Sequence, residues 1–255
     1  MAPNLPKLLR RKQETPLPDA IEFEGGRLPL TVRHNPRAKR LILRIAPGGT
    51  GLVVTAPRGM ANRKIREFLD RHRGWVEERV SRGPERVTIV PGATIPIRGE
   101  PVLLVHRGGR MTTRLEIANE AGEGPARELL VGGAPEHFSR RVLDFLRREA
   151  RDDLLMAVKR HSAAVGLEPR GITIKDTTSR WGSCSHDRRL AFSWRIIMAP
   201  PHVLDYLAAH EVAHFREMNH GPNFWALCRD LCAETEAGKA WLKRHGSGLH
   251  AIGVG

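Results

Sequence analysis

The sequence predicts an α+β protein in which a β-rich N-terminal half packs on a C-terminal half dominated by helices. Three observations lead there. Short β-branched runs separated by Gly and Pro turns fill residues 28 to 131, a helical stripe of apolar residues begins at Phe138, and the eleven residues HEVAHFREMNH, His210 to His220, gather three histidines and two glutamates on about three helical turns. A chain of 255 residues can bury a core as one large domain or two modest ones, without disulfide or metal staples.

The expected divisions are a disordered, basic and Pro-rich tail over 1–25, a β-rich portion over 26–133 and the chemistry-bearing portion over 134–255. LPLTVRHN and KRLILRIAPGGTGLVVTAP read as strands, the second folded into a hairpin at PGGTG. ANRKIREFLDRHRGWVEERV follows as a helix, with Ile65, Leu69, His72 and Val76 on one face, Asn62 as cap and Gly74 as a weak point. TIPIRGEPVLLVHR, TRLEIAN and ELLVGG read as three more strands, and NEAGEGPARE, residues 119–128, reads as a linker or long hairpin loop because it lacks apolar periodicity. Phe138, Val142, Phe145, Leu146, Leu154, Leu155 and Val158 then mark a long helix that Gly166 can stop. GITIKDT reads as a strand, SRWGSCSHDRR as a turn, LAFSWRIIM as a second strand, and Pro200-Pro201 as the start of the histidine-bearing helix, with a closing helix through Trp241.

A net charge of +14 and a pI near 10.8 favour anionic partners at long range, whether nucleotides, nucleic acid or acidic protein, without specifying any of them. Three cysteines, with no CxxC spacing, argue against a disulfide framework and for a reducing compartment, with the cytoplasm as the expected location. The N-terminus has no continuous apolar core of the signal-peptide kind, and no stretch approaches a membrane span, so no membrane partner is expected.

His210 and His214 lie four residues apart, so on a helix both imidazoles face one side and can reach a single ion. Glu211 is offset by about 100° and can act as a base toward a metal-activated water without being a ligand, the HExxH arrangement. The apolar Val203, Leu204, Leu207 and Ala208 make this a buried helix, where histidines need partners. His220 is the leading third ligand. Six residues beyond His214 is about 600° of rotation, so the helix must break first, and Asn219 with Gly221-Pro222 supplies a place for it. The spacing equals that of HExxHxxGxxH proteins, but Glu217 stands where their glycine would be and no methionine follows Met218. A carboxylate from the closing helix, Glu234 or Glu236, is the rival third ligand.

Other residues complete the reading. Arg180, in SRWGSCS, is the candidate for an anionic substrate group or a developing oxyanion. Trp181 reads as core, Cys184 as a small buried side chain, Cys228 and Cys232 as packing, and Trp194-Arg195 as a plug between strand and helix.

SRWGSCS, LAFSWRIIMAPPHVLDYLAAHEVAHFREMNHGPNFWALC and WLKRHG together resemble the YgjP-like family of zinc metallopeptidases, related to the SprT and WLM groups. PRAKRLILRI and APRGMANRKIREFLDRHRGW resemble that family's N-terminal portion. The resemblance implies a minimal zincin-like core with a zinc ion on His210, His214 and His220 and with Glu211 as general base; it favours His220 over Glu234. LCAETEAGKAWLK departs from the family's usual Cys-Pro-Asp-like turn. The expected chemistry is metal-assisted hydrolysis of a protein or peptide substrate, with the strand LAFSWRIIM as the edge that an extended peptide pairs with. Two alternatives stand beside it: a nucleotide phosphohydrolase using Arg180, Arg188 or Arg195 for a polyphosphate, and a non-catalytic, zinc-stabilised nucleic-acid-binding module.

Overall fold

The computed structural model describes residues 15–23, 26–83, 85–117 and 126–253. They fall into two compact units, the first ending at Gly83 and the second taking up the remainder.

In the first unit, β1 (Ala20–Phe23), β2 (Gly26–Asn35), β3 (Ile42–Ile45) and β4 (Leu52–Pro57) form a sheet of order β1-β2-β4-β3, in which β2 and β4 run parallel and the other pairs antiparallel. The expected hairpin is there, with Ile45 opposite Leu52. Alternation along β4 sends Leu52, Val54 and Ala56 into the core, against Ile65, Leu69 and Val76 from the helices that follow. Those helices are two: α1 (Asn62–Arg71) and α2 (Arg73–Ser81) are separated at His72, whose ring bonds back to the Phe68 carbonyl. Ala61, not Asn62, is the cap residue; the Asn62 amide donates instead to the Thr15 carbonyl. The expected disordered tail lies outside the described residues as far as 14, while its later part contributes β1.

The second unit opens on β5 (Thr94–Ile97), β6 (Glu100–His106), β7 (Arg114–Ile117) and β8 (Arg127–Val131), in the order β5-β6-β8-β7. TIPIRGEPVLLVHR is thus two strands, turned at Arg98 and Gly99, both with positive φ. Arg98 holds that left-handed conformation because its N–H donates to the Ile197 carbonyl and its guanidinium grips Asp153 and Glu149. Most of the expected linker, residues 119–125, lies outside the described residues. Ile95, Ile97, Val102, Leu104, Leu129 and Val131 share one core with α3 (Phe138–Val165), so these strands pack with the helical part of the chain. Gly166 ends α3 in the left-handed conformation, as expected.

β9 (Gly171–Lys175), β10 (Gly182–Cys184) and β11 (Arg189–Ser193) form a second sheet of order β10-β11-β9. Two local expectations change here. The segment read as a turn contains β10, and the second half of LAFSWRIIM is a 3₁₀ turn, Trp194–Met198, in which every residue is buried. α4 (Pro201–Ala213), α5 (Pro222–Leu231) and α6 (Thr235–Leu249) complete the unit. The single closing helix is therefore two, broken at Cys232, where the Thr235 hydroxyl donates back to the Cys228 and Cys232 carbonyls. Among the described residues no helix is long and apolar enough to cross a membrane.

Candidate metal centre

α4 begins with Pro201 in its first turn and is buried on nearly every side, from Val203 to Ala213. His210 and Glu211 lie in its last turn. His214 caps it, and the helix stops there instead of running on to Asn219. Asn219 is not left-handed; the chain turns earlier, with the N–H groups of Phe215, Arg216 and Glu217 bonding to the Val212 and Ala213 carbonyls. The turn brings the Glu217 carbonyl to His214 Nδ1 at 2.9 Å, which makes Nδ1 the protonated nitrogen and leaves Nε2 with a free lone pair.

That early turn also carries His220 back. Its Nε2 comes within 3.1 Å of His210 Nε2, and one potential ligand atom from each of His210, His214 and His220 lies within 4.8 Å of the others. Phe224, fully buried in the first turn of α5, is a wedge beneath all three rings, with centroid distances of 4.9, 4.6 and 4.6 Å to His210, His214 and His220. The Tyr206 hydroxyl stands 3.5 Å from His210 Nδ1.

The donor chemistry fits a divalent ion. Burial, then the neighbouring His214 and His220, lowers the His210 pKa to about 3. Burial also lowers that of His214, against the opposing hydrogen bond to Glu217. Both are therefore neutral lone-pair donors at neutral pH, as a metal requires. Glu211 is only 4% exposed, and burial pushes its carboxyl up to about 8, with Arg180 pulling the other way. A positive ion held by the histidines would supply the charge that favours its ionised form.

A cavity of about 280 Å³ opens on this group, lined by His210, Glu211, His214 and His220 together with Arg180 and β10. Arg180 is exposed, its backbone carbonyl accepting from the Thr177 hydroxyl, and it forms no ion pair within 4 Å among the described residues. The other expected cations are elsewhere. Arg195 is 6% exposed and holds Asp176 and the carbonyls of Leu249 and Ile252, while Arg188 donates to the Glu168 carbonyl. Of the rival carboxylates, Glu234 lines a different cavity and Glu236 pairs with Arg229 and Lys239.

Three residues of the site escape a reading of the sequence. Phe224 and Tyr206 are two of them. The third is Gly182 in β10: a Cβ there would overlap Glu211 Oε1 and lie 2.8 Å from both Cδ and Cγ of that side chain. Only the glycine backbone fits against the carboxylate. β10 is also an edge strand. β11 is flanked by β9 and β10, so LAFSWRIIM cannot accept a further strand, whereas β10 pairs with β11 alone among the described residues. Cys184 is half-buried on the cavity wall, its thiol donating to the Ser185 carbonyl, while Cys228 and Cys232 are buried packing as expected. Trp181 is partly buried and stacks on His250 at 4.6 Å; Trp194 is the expected plug, 1% exposed.

A family model described as "YgjP-like, metallopeptidase domain" matches residues 39–245. No curated protein matches the chain. Among solved structures, the crystal structure of the metallopeptidase zymogen of Pyrococcus abyssi abylysin is similar at 15% identity and a TM-score of 0.34, over 40% of this chain and 99% of that one.

Proposed function

The chain belongs to the YgjP-like metallopeptidase-domain family, and on that premise we propose that His210, His214 and His220 hold a zinc ion beside which Glu211 is the general base for hydrolysis of a peptide bond. The observation that carries this reading is the convergence of three imidazoles and one buried carboxylate on a single cavity beside a strand edge that is open among the described residues. Three imidazoles with an open position are the donor set of catalytic zinc.

A zinc ion bound there supplies Lewis acidity toward water and toward the scissile carbonyl. The chain's own residues do the rest. The Glu217 carbonyl and the Phe224 ring fix the rotamer of His214, and Phe224 and Tyr206 restrict that of His210. Glu211 accepts the proton of the attacking water at a carboxylate oxygen and returns it to the leaving amine. Arg180, exposed in the cavity lining, meets a substrate carboxylate or the developing oxyanion. β10 offers its free edge to an extended substrate, which places the substrate backbone beside the strand that Glu211 packs against. Three free thiols, two of them buried, fit the cytoplasm as the location.

A nucleotide hydrolase needs several cations converging on a polyphosphate, and among the described residues this cavity is lined by one arginine, Arg180, and no lysine. Zinc-loaded protein should therefore cut an unfolded protein substrate and leave a nucleoside triphosphate panel intact. Pyrophosphate release that depends on Glu211, with no protein cleaved, would replace the peptidase reading with its rival.

A further inference from the structure

We propose that a second cavity, far along the sequence from the histidines and independent of the peptidase reading, is a binding site for a phosphoryl group with Arg141 as its principal cation. The cavity holds about 260 Å³ between the first turns of α3 and the segment preceding β7; Met111, Thr112, Thr113, Arg141 and Arg148 line it, together with Asp144.

Arg141 is the reason to expect an anion. Its Nε is buried and has no hydrogen-bond partner, and the guanidinium has no carboxylate within ion-pair distance among the described residues. A carboxylate stands one turn along the same helix, but Asp144 faces Arg140 at 3.6 Å and Arg147 at 3.4 Å instead. A partly buried cation without a counter-charge is costly unless an anion meets the rest of its guanidinium.

The walls are built to hold that cation in place. A Cβ on Gly133 would lie 2.7 Å from Arg141 Nε and 2.8 Å from Cζ, so the guanidinium lies against bare backbone. One residue earlier, a Cβ on Gly132 would overlap the Met111 side chain and lie 2.6 Å from its carbonyl oxygen. The two glycines thus let one turn touch both sides of the cavity. That turn is anchored: the Gly133 N–H donates to the Gly109 carbonyl at 2.9 Å, its own carbonyl lies 2.7 Å from His106 Nε2, and the Arg107 N–H donates to Val131. The cavity is preformed, which lowers the entropic cost of filling it.

Thr112 and Thr113 supply hydroxyl donors without partners among the described residues, and Arg148, only loosely paired with Glu149 at 3.5 Å, supplies a second guanidinium. Two arginine forks and two hydroxyls suit the several oxygens of a phosphoryl group better than the two of a carboxylate. The source is either a free phosphate compound or the backbone of a nucleic acid, and the two share this chemistry.

The test titrates the full-length, zinc-loaded protein with inorganic phosphate by calorimetry at low ionic strength. Saturable binding is expected, weakened about tenfold or more by Arg141→Gln and less by the exposed Arg148→Gln. Arg151→Gln, exposed on the same helix and outside the cavity lining, should leave it unchanged. Arg148→Gln keeps the test decisive if Arg141→Gln proves misfolded by circular dichroism. A parallel titration with a fluorescent single-stranded oligonucleotide assigns the source: loss of affinity in the same variants points to backbone phosphate, and indifference to a free phosphate compound. Absence of saturable phosphate binding, or binding indifferent to both α3 arginines, as for phosphate held at the histidine centre, would overturn the proposal.

Discussion

Glu211→Gln is expected to keep about one zinc per chain while turnover falls by on the order of 10² or more. Glutamine preserves the volume of a side chain that is 4% exposed and pressed against β10, so the cavity keeps its shape. The substitution removes a buried acid instead of exposing a buried charge, which leaves folding stability near that of the parent. What disappears is the proton acceptor. Glu211 is outside the group of side chains whose ligand atoms converge, so the metal has no reason to leave. Zinc lost together with activity would mean that Glu211 is a ligand or a support for one, and the role assigned to it would be wrong.

Gly182→Ala should have the next largest effect, through the same carboxylate. The added methyl group would meet Oε1, Cδ and Cγ of Glu211 at less than van der Waals distance, and a side chain moves more readily than a paired strand. β10 therefore keeps its register with β11 while Glu211 swings out of position. A catalytic group displaced by about 1 Å can lose 10²-fold in rate, so turnover should drop by about tenfold to 10², with zinc content and the helical circular dichroism unchanged. Full activity in Gly182→Ala would show that Glu211 is not held where the strand puts it.

How much of this was legible in the sequence depends on how local each signal is. The HExxH helix is a local pattern: four-residue spacing puts two imidazoles on one side, and the apolar residues around them announce burial, so α4 and the placement of His210 and His214 were readable directly. His220 was reached by requiring a break in the helix. The break exists, but the sequence suggested the left-handed tolerance of Asn219, whereas the chain turns at His214 because the Ala213 carbonyl and the His214 ring take hydrogen bonds from or to the next turn. β10 was invisible for the opposite reason. Gly182, Ser183 and Cys184 have little β propensity of their own, and they are a strand only because β11, several residues on, pairs with them. WRIIM misled in turn, since a short apolar run buried on all sides carries no periodicity to separate a strand from a 3₁₀ turn. Arg195 shows the same limit for function: charge and position suggested a cleft cation, but its guanidinium is a structural clasp on Asp176 and two carbonyls near the C-terminus.

The central claim is a zinc ion on three histidines, and the zinc content of purified protein by plasma mass spectrometry tests it most directly, in wild type, His220→Ala and Glu234→Ala. About one zinc per chain is expected in wild type and in Glu234→Ala, because Glu234 lines another cavity, with most of it lost from His220→Ala, where only His210 and His214 remain. Zinc retained in His220→Ala and lost from Glu234→Ala would contradict the account.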